Sequence, residues 1–104
     1  MGTTRLDILK SMVEQNPADS FSRYGLAMEF VNAGRLDDAE HQFMQLLEHN
    51  PNYVAGYFHG GQTLQKMNRP DDARALYRRG IEVASAAGDD HAAAEMQGAL
   101  DMLG

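Results

Sequence analysis

The chain has 104 residues, of which 43% are hydrophobic and 23% are charged, values typical of one small globular domain over residues 1–104. The formal net charge is −6 and only nine Lys and Arg residues are present, which argues against nucleic acid as a partner. There is no cysteine, so disulfides and thiolate chemistry are excluded. The N-terminal residues carry Arg5, Asp7 and Lys10 and form no apolar segment. We therefore expect a cytoplasmic protein with no secretory signal and no direct membrane insertion.

The spacing of apolar residues predicts about six helices and an all-α fold. The first helix covers residues 4–15, where Leu9, Met12 and Val13 lie at helical spacing. Two helix pairs follow, over 20–53 and 54–87, and the second helix of the first pair ends at Asn50-Pro51. The last helix covers 89–103 and is apolar on one face only, which is typical of a cap at the end of a stack.

An internal repeat connects the two helix pairs. The stretch GRLDDAEHQF at 34–43 matches NRPDDARALY at 68–77, a displacement of 34 residues that also places Pro17 on Pro51. A fixed period of this length indicates a repeat architecture. Gly34 and Asn68 occupy equivalent positions after a helix, and both residue types tolerate the left-handed conformation that ends helices. Pro70 is expected at the first position of the helix that follows.

The period and its pattern resemble the tetratricopeptide repeat family, in particular its small bacterial members. In the first repeat, the positions of this family's sequence pattern hold Arg23, Leu26-Ala27, Phe30, Ala39, Phe43 and Pro51. In the second repeat, the same positions hold Tyr57, Gly60-Gly61, Leu64, Ala73, Tyr77 and Ser85. The resemblance implies a right-handed α-solenoid of antiparallel helix pairs, with a half-repeat helix at the N-terminus and a capping helix at the C-terminus. Ser85 stands where the family has proline, so we expect the second helix of that repeat to continue for one more turn, to about Ala87-Gly88.

The acidic stretch that follows Gly34 looks at first like a metal or catalytic site, because Asp37 and Asp38 precede His41. Its second copy keeps both aspartates, but Ala75 replaces the histidine. Adjacent helical residues also diverge by about 100°, so the two carboxylates are poorly placed to hold one ion. The aspartates are better explained as first-turn residues that interact with the helix dipole. We expect no metal, no cofactor and no catalytic residues, and hence no enzyme.

The resemblance also implies a concave, ligand-binding groove lined by the first helix of each repeat. Carried over position by position, the expected groove residues are Phe21, Tyr24, Met28 and Asn32 in the first repeat, with Val31 beside them, and Phe58, His59, Gln62 and Lys66 in the second, with Ala55 and Gln65 beside them. The places of the family's carboxylate clamp hold Tyr24, Met28 and His59, so a clamp of that kind is not expected. An alternative is that part of the apolar stripe of helix 20–33 packs on the N-terminal helix.

These observations predict a non-catalytic adaptor that binds a peptide or helix of a protein partner in the groove. The alternative is a self-assembling scaffold, because a short solenoid can bury its apolar ends or groove against another copy. A monomer in solution would favour the adaptor, whereas a concentration-independent dimer would favour the scaffold.

Overall fold

The computed structural model describes residues 3–104, and the regular structure in this range consists of six helices. Their bounds are α1 Arg5–Gln15, α2 Ser20–Asn32, α3 Leu36–His49, α4 Val54–Lys66, α5 Pro70–Ala86 and α6 Asp90–Leu103. Each helix packs on the next one along the chain, and α4 also contacts α6. The prediction of an all-α solenoid is confirmed. Within residues 3–104 no helix combines the length and the apolar character needed to cross a membrane.

The core consists of two apolar clusters that meet at the junction of the repeats. The first is centred on Phe30, Phe43 and Leu46 and lies between α1, α2 and α3. The second is centred on Tyr57 and Tyr77 and includes residues of α6. The half-buried Tyr53 packs against both clusters. One continuous apolar interior therefore joins the helices, as expected for stacked repeats whose units cannot bury their apolar faces alone.

The two repeats turn between their helices in the same way. Gly34 has φ +74° and Asn68 has φ +59°, so both adopt the left-handed conformation predicted from their positions. The residue after each turn residue donates its backbone N–H across the turn, from Arg35 to the Phe30 carbonyl and from Arg69 to the Leu64 carbonyl, both at 2.9 Å. These bonds satisfy carbonyls that the helix end leaves without a partner.

The paired aspartates lie in the first turns of α3 and α5, as predicted. Arg35 binds Asp38, with 2.7 Å between Nη2 and Oδ2, and Arg69 binds Asp72 in the same way at 2.9 Å. Arg69 also lies 3.0 Å from Glu40 and so connects the two repeats. Over residues 3–104, no group of three or more His, Cys, Asp or Glu side chains is arranged to hold a metal ion. The stretch that resembled a site is the start of a helix.

Arg23 and Tyr57 are equivalent residues of the two repeats, and they make the same hydrogen bond with different chemistry. The Arg23 guanidinium donates to the Pro17 carbonyl at 3.1 Å, and the Tyr57 hydroxyl donates to the Pro51 carbonyl at 2.7 Å. Arg23 also donates to Gln42 Oε1 at 2.8 Å and is only 8% exposed. The bonds fix the chain that enters each repeat's first helix, so a buried cation is accommodated in the first repeat where the second repeat has an aromatic residue.

The final helices are held in place by a long α5 and by close packing. α5 has 17 residues, whereas α3 has 14, in agreement with the extra turn predicted from Ser85. The Arg74 guanidinium donates to the Leu103 carbonyl at 3.0 Å and so ties the end of α6 to α5. Met96 of α6 is fully buried in the second cluster. The helix predicted as a cap is thus an integral part of the core.

Candidate functional site

The candidate site is a groove formed by two adjacent pockets on α2, α4 and α6. One pocket lies between α2 and α4 and the other between α4 and α6. His59 lines both of them, so the pockets share a wall and form one surface. We call this surface the groove, and we refer to its parts as the α2–α4 pocket and the α4–α6 pocket. Among the residues that the structure describes, its lining comes from the first helices of the helix pairs, from α6 and from Asp89, which precedes α6.

The α2–α4 pocket has a volume of about 190 Å³ and contains most of the residues predicted from the sequence. Its lining is Met28, Val31, Asn32, His59, Gln62, Thr63 and Lys66. Amide groups and one ammonium therefore surround a small apolar floor. Such a pocket can donate hydrogen bonds to carbonyl or carboxylate oxygens of a ligand.

The α4–α6 pocket is larger, about 400 Å³, and was predicted only in part. Ala55, Phe58 and His59 were expected there, but Ala92 and Glu95 of α6 and its N-cap residue Asp89 also line the pocket. The sequence predicts α6 as a cap at the end of the stack, and in the structure its residues also line this pocket. The residue pattern of α6 departs from the repeat, so groove positions could not be transferred to it by register. Its packing against α4 nevertheless places it where a further first helix would lie.

Aromatic rings connect the two pockets. The Tyr24 ring lies 5.5 Å from the Tyr53 ring and 5.7 Å from the His59 ring, and the Phe58 ring lies 5.2 Å from His59, all between centroids. Burial raises the pKa of both tyrosines and lowers the pKa of His59, although a hydrogen bond to Gln62 and the charge of Glu95 partly offset the latter. The imidazole is therefore neutral near pH 7, and the phenols remain hydrogen-bond donors.

The apolar stripe of α2 is divided between two neighbours. α1 lies on another side of α2, where Arg5 is 3.1 Å from Glu29 and Lys10 lies over the Phe30 ring. Met28 and Val31 line the α2–α4 pocket and also pack against the first core cluster. Tyr24 supports the shared wall through His59 without lining either pocket. Phe21 is 74% exposed and lies outside both pockets, so the structure does not bring it together with the other predicted groove residues.

Comparison with known proteins identifies the family. No protein-family model matches the chain. A TPR repeat-containing protein of Pseudomonas aeruginosa is 27% identical over 88 residues, which cover 85% of this chain and 84% of that protein. The solution structure of a tetratricopeptide repeat domain protein from Salinibacter ruber is 36% identical, has a TM-score of 0.80, and is matched over 85% of this chain and 89% of its own. The chain belongs to the tetratricopeptide repeat family.

Another similar structure is that of YrrB, described as a TPR protein with an unusual peptide-binding site. It is 25% identical with a TM-score of 0.78, and the match covers 88% of this tetratricopeptide repeat protein and 46% of YrrB. Tetratricopeptide repeat proteins generally act as protein-interaction modules without catalysis of their own. The groove of this tetratricopeptide repeat protein has apolar floors and polar rims, and within residues 3–104 it contains no metal-binding cluster.

Proposed function

We propose that this protein is a non-catalytic adaptor that binds a peptide or helical segment of a partner protein in the groove. The observation that carries the proposal is the continuity of the two pockets through His59. Together they offer apolar contact area beside hydrogen-bonding groups, the combination that characterises interfaces with a few dominant contacts. The similarity to a protein described as having a peptide-binding site supports the same function.

The proposal can be tested with peptides selected from a phage-displayed library of random short peptides on the immobilised protein. Phe58→Ala and Met28→Ala remove apolar contacts from the two pockets and should each weaken a selected peptide about thirtyfold, the size of an interface hot spot. Met102→Ala is the matched control, because Met102 is 91% exposed and lies outside both pockets. It should leave the affinity, measured by fluorescence anisotropy, unchanged.

Thermal unfolding of each variant separates lost contacts from lost folding. Phe58 also packs on the second core cluster, so Phe58→Ala should lower the melting temperature to some extent. The affinity is therefore measured well below the melting temperature of every variant. The proposal fails if no peptide is selected, or if the selected peptides bind the Phe58→Ala and Met28→Ala variants as well as the unmodified protein.

A second candidate function is that of a self-assembling scaffold. Ile8 is 50% exposed and Met12 is 43% exposed, and they lie one turn apart on α1. Two neighbouring apolar side chains on one helix face favour contact with another chain. Light scattering during size-exclusion chromatography would detect a concentration-independent dimer, and Ile8→Glu should convert it to a monomer. A monomer at all concentrations removes this function and leaves the adaptor.

A further inference from the structure

The groove is electrostatically asymmetric along its length. The α4–α6 pocket has the carboxylates Asp89 and Glu95 at its rim and is lined by no Lys or Arg among residues 3–104. The α2–α4 pocket has Lys66 at its rim and is lined by no Asp or Glu in the same range. The neutral His59 stands between them. A partner that is complementary to this surface must therefore carry different charges at its two contact points.

The acidic pocket is also the more apolar in its walls. Apart from His59 and the two carboxylates, its lining is Val54, Ala55, Phe58 and Ala92. A long basic side chain matches this combination, because its methylene stem can pack on apolar walls while its charged head stays near the carboxylates at the rim. An arginine can in addition place its guanidinium over the face of an aromatic ring such as Phe58.

The two carboxylates retain acceptor capacity for such a head group. Asp89 Oδ1 accepts the backbone N–H of Ala92 at 3.1 Å, the bond that caps α6, and this bond leaves the other oxygen of the carboxylate available. Glu95 Oε1 lies 3.0 Å from His91 Nε2, and His91 is 88% exposed. A carboxylate offers about four acceptor positions, so one contact at each leaves room for a ligand cation.

We propose that the groove binds a partner segment whose lysine or arginine side chain enters the α4–α6 pocket beside Glu95 and Asp89, while a carbonyl or carboxylate of the same segment contacts Lys66. This inference rests on the proposed adaptor function and specifies its ligand. Lys66 lies seven residues beyond His59 on α4, which is about 10 Å along the helix axis, so the two contact groups of the partner are separated by about that distance or more. Such a spacing corresponds to residues i and i+3 of a polyproline II segment or to i and i+7 of a helix, at about 9 and 10 Å.

Peptides selected from the same random library on the unmodified protein provide the probe. They should share a lysine or arginine at one position, and replacing that residue by norleucine should weaken binding about tenfold. Glu95→Gln should weaken the original peptide by a similar factor but leave the affinity of the norleucine peptide unchanged, because the two changes remove the same interaction. Raising the salt concentration should weaken the basic peptide's binding to the unmodified protein more than it weakens the binding of the norleucine peptide.

Glu14→Gln is the matched control, since it makes the same charge change on α1, away from both pockets. It should alter neither affinity by more than a small factor. The inference is overturned if the selected peptides lose affinity in the Phe58→Ala variant yet share no basic residue, or if Glu95→Gln and the norleucine replacement act independently. These results leave the adaptor function intact. Peptides that bind the Phe58→Ala and Met28→Ala variants normally overturn both proposals.

Discussion

The close approach of α4 to α5 makes Gly61 the position where the smallest possible substitution should have a large effect. A Cβ added at Gly61 would lie 2.7 Å from both Cδ1 and Cζ of the Tyr77 ring, well inside van der Waals contact. Tyr77 is fully buried, and its hydroxyl donates to Gln65 of α4. The ring therefore cannot move away from a new methyl group without losing its packing or its hydrogen bond.

Two opposing terms set the size of the effect of Gly61→Ala. Overpacking a well-filled core typically costs about 1–3 kcal/mol. Alanine in the middle of a helix is more favourable than glycine by about 0.5–1 kcal/mol. We therefore expect Gly61→Ala to lower the free energy of unfolding by about 1–2 kcal/mol. In a domain of this size, each kcal/mol corresponds to about 4 °C in melting temperature or slightly more.

Gly98 of α6 provides a matched control with the opposite sign. A Cβ added there meets no atom within 4 Å, so Gly98→Ala gains the helix preference without a clash. It should raise the free energy of unfolding by about 0.5–1 kcal/mol. Urea unfolding followed by circular dichroism at 222 nm measures both variants against the unmodified protein. If Gly61→Ala proves as stable as Gly98→Ala, the close packing of α4 on Tyr77 is refuted.

Three further predictions concern a buried cation, a histidine and a turn. Arg23→Ala removes two hydrogen bonds and should lower the free energy of unfolding by about 2–4 kcal/mol. Arg23→Tyr should retain much of this stability, because Tyr57 makes the equivalent bond in the second repeat. Chemical denaturation compares the two variants, and equal losses of stability would contradict the equivalence. The pKa of His59 is lowered by burial, so the unfolded chain takes up its proton first as the pH falls. The stability that this histidine contributes is complete above its unfolded pKa of about 6.5 and is lost as the pH falls from there to the folded pKa. His59→Gln should therefore flatten this part of a curve of stability against pH. Parallel curves for the variant and the unmodified protein would argue against this role of His59. Asn68 has φ +59°, so Asn68→Gly should be neutral or stabilising, whereas Asn68→Ala should lower the free energy of unfolding by about 1 kcal/mol. Thermal unfolding measures both variants. An Asn68→Ala variant more stable than the unmodified protein would contradict the left-handed turn.

Much of the fold could be predicted because its determinants are local and occur in both repeats. Gly34 and Asn68 end one helix in each repeat, and Pro70 begins the next, so a single period carries the signals for start, stop and turn. The displacement of 34 residues supports each assignment with a second copy. Even the longer α5 followed from a single departure, Ser85 in place of proline, because proline is the residue that would have interrupted that helix.

The site was less predictable because it depends on which faces of distant helices meet. Carrying groove positions over from the repeat found Met28, Asn32, Gln62 and Lys66, which lie together. The same procedure placed Phe21 in the groove, whereas it is mostly exposed and lies outside both pockets. It also missed the acidic rim, because α6 does not follow the repeat and its rotation is set by the burial of Met96. The charge asymmetry of the groove becomes visible only in three dimensions.

The shared bond of Arg23 and Tyr57 has a consequence for how repeats diverge. By residue type, arginine and tyrosine are among the least similar pairs, so the two repeats look mismatched at this position in the sequence. Compared as atoms, each delivers one donor to the carbonyl six residues earlier, and the entering chain is fixed in the same way. This position requires a side-chain donor that reaches the carbonyl six residues earlier, and it does not require one class of residue. A duplicated unit can therefore change the type of a side chain while the hydrogen bond that the side chain makes is preserved. The copies then resemble each other more closely in their hydrogen bonds than in their sequences.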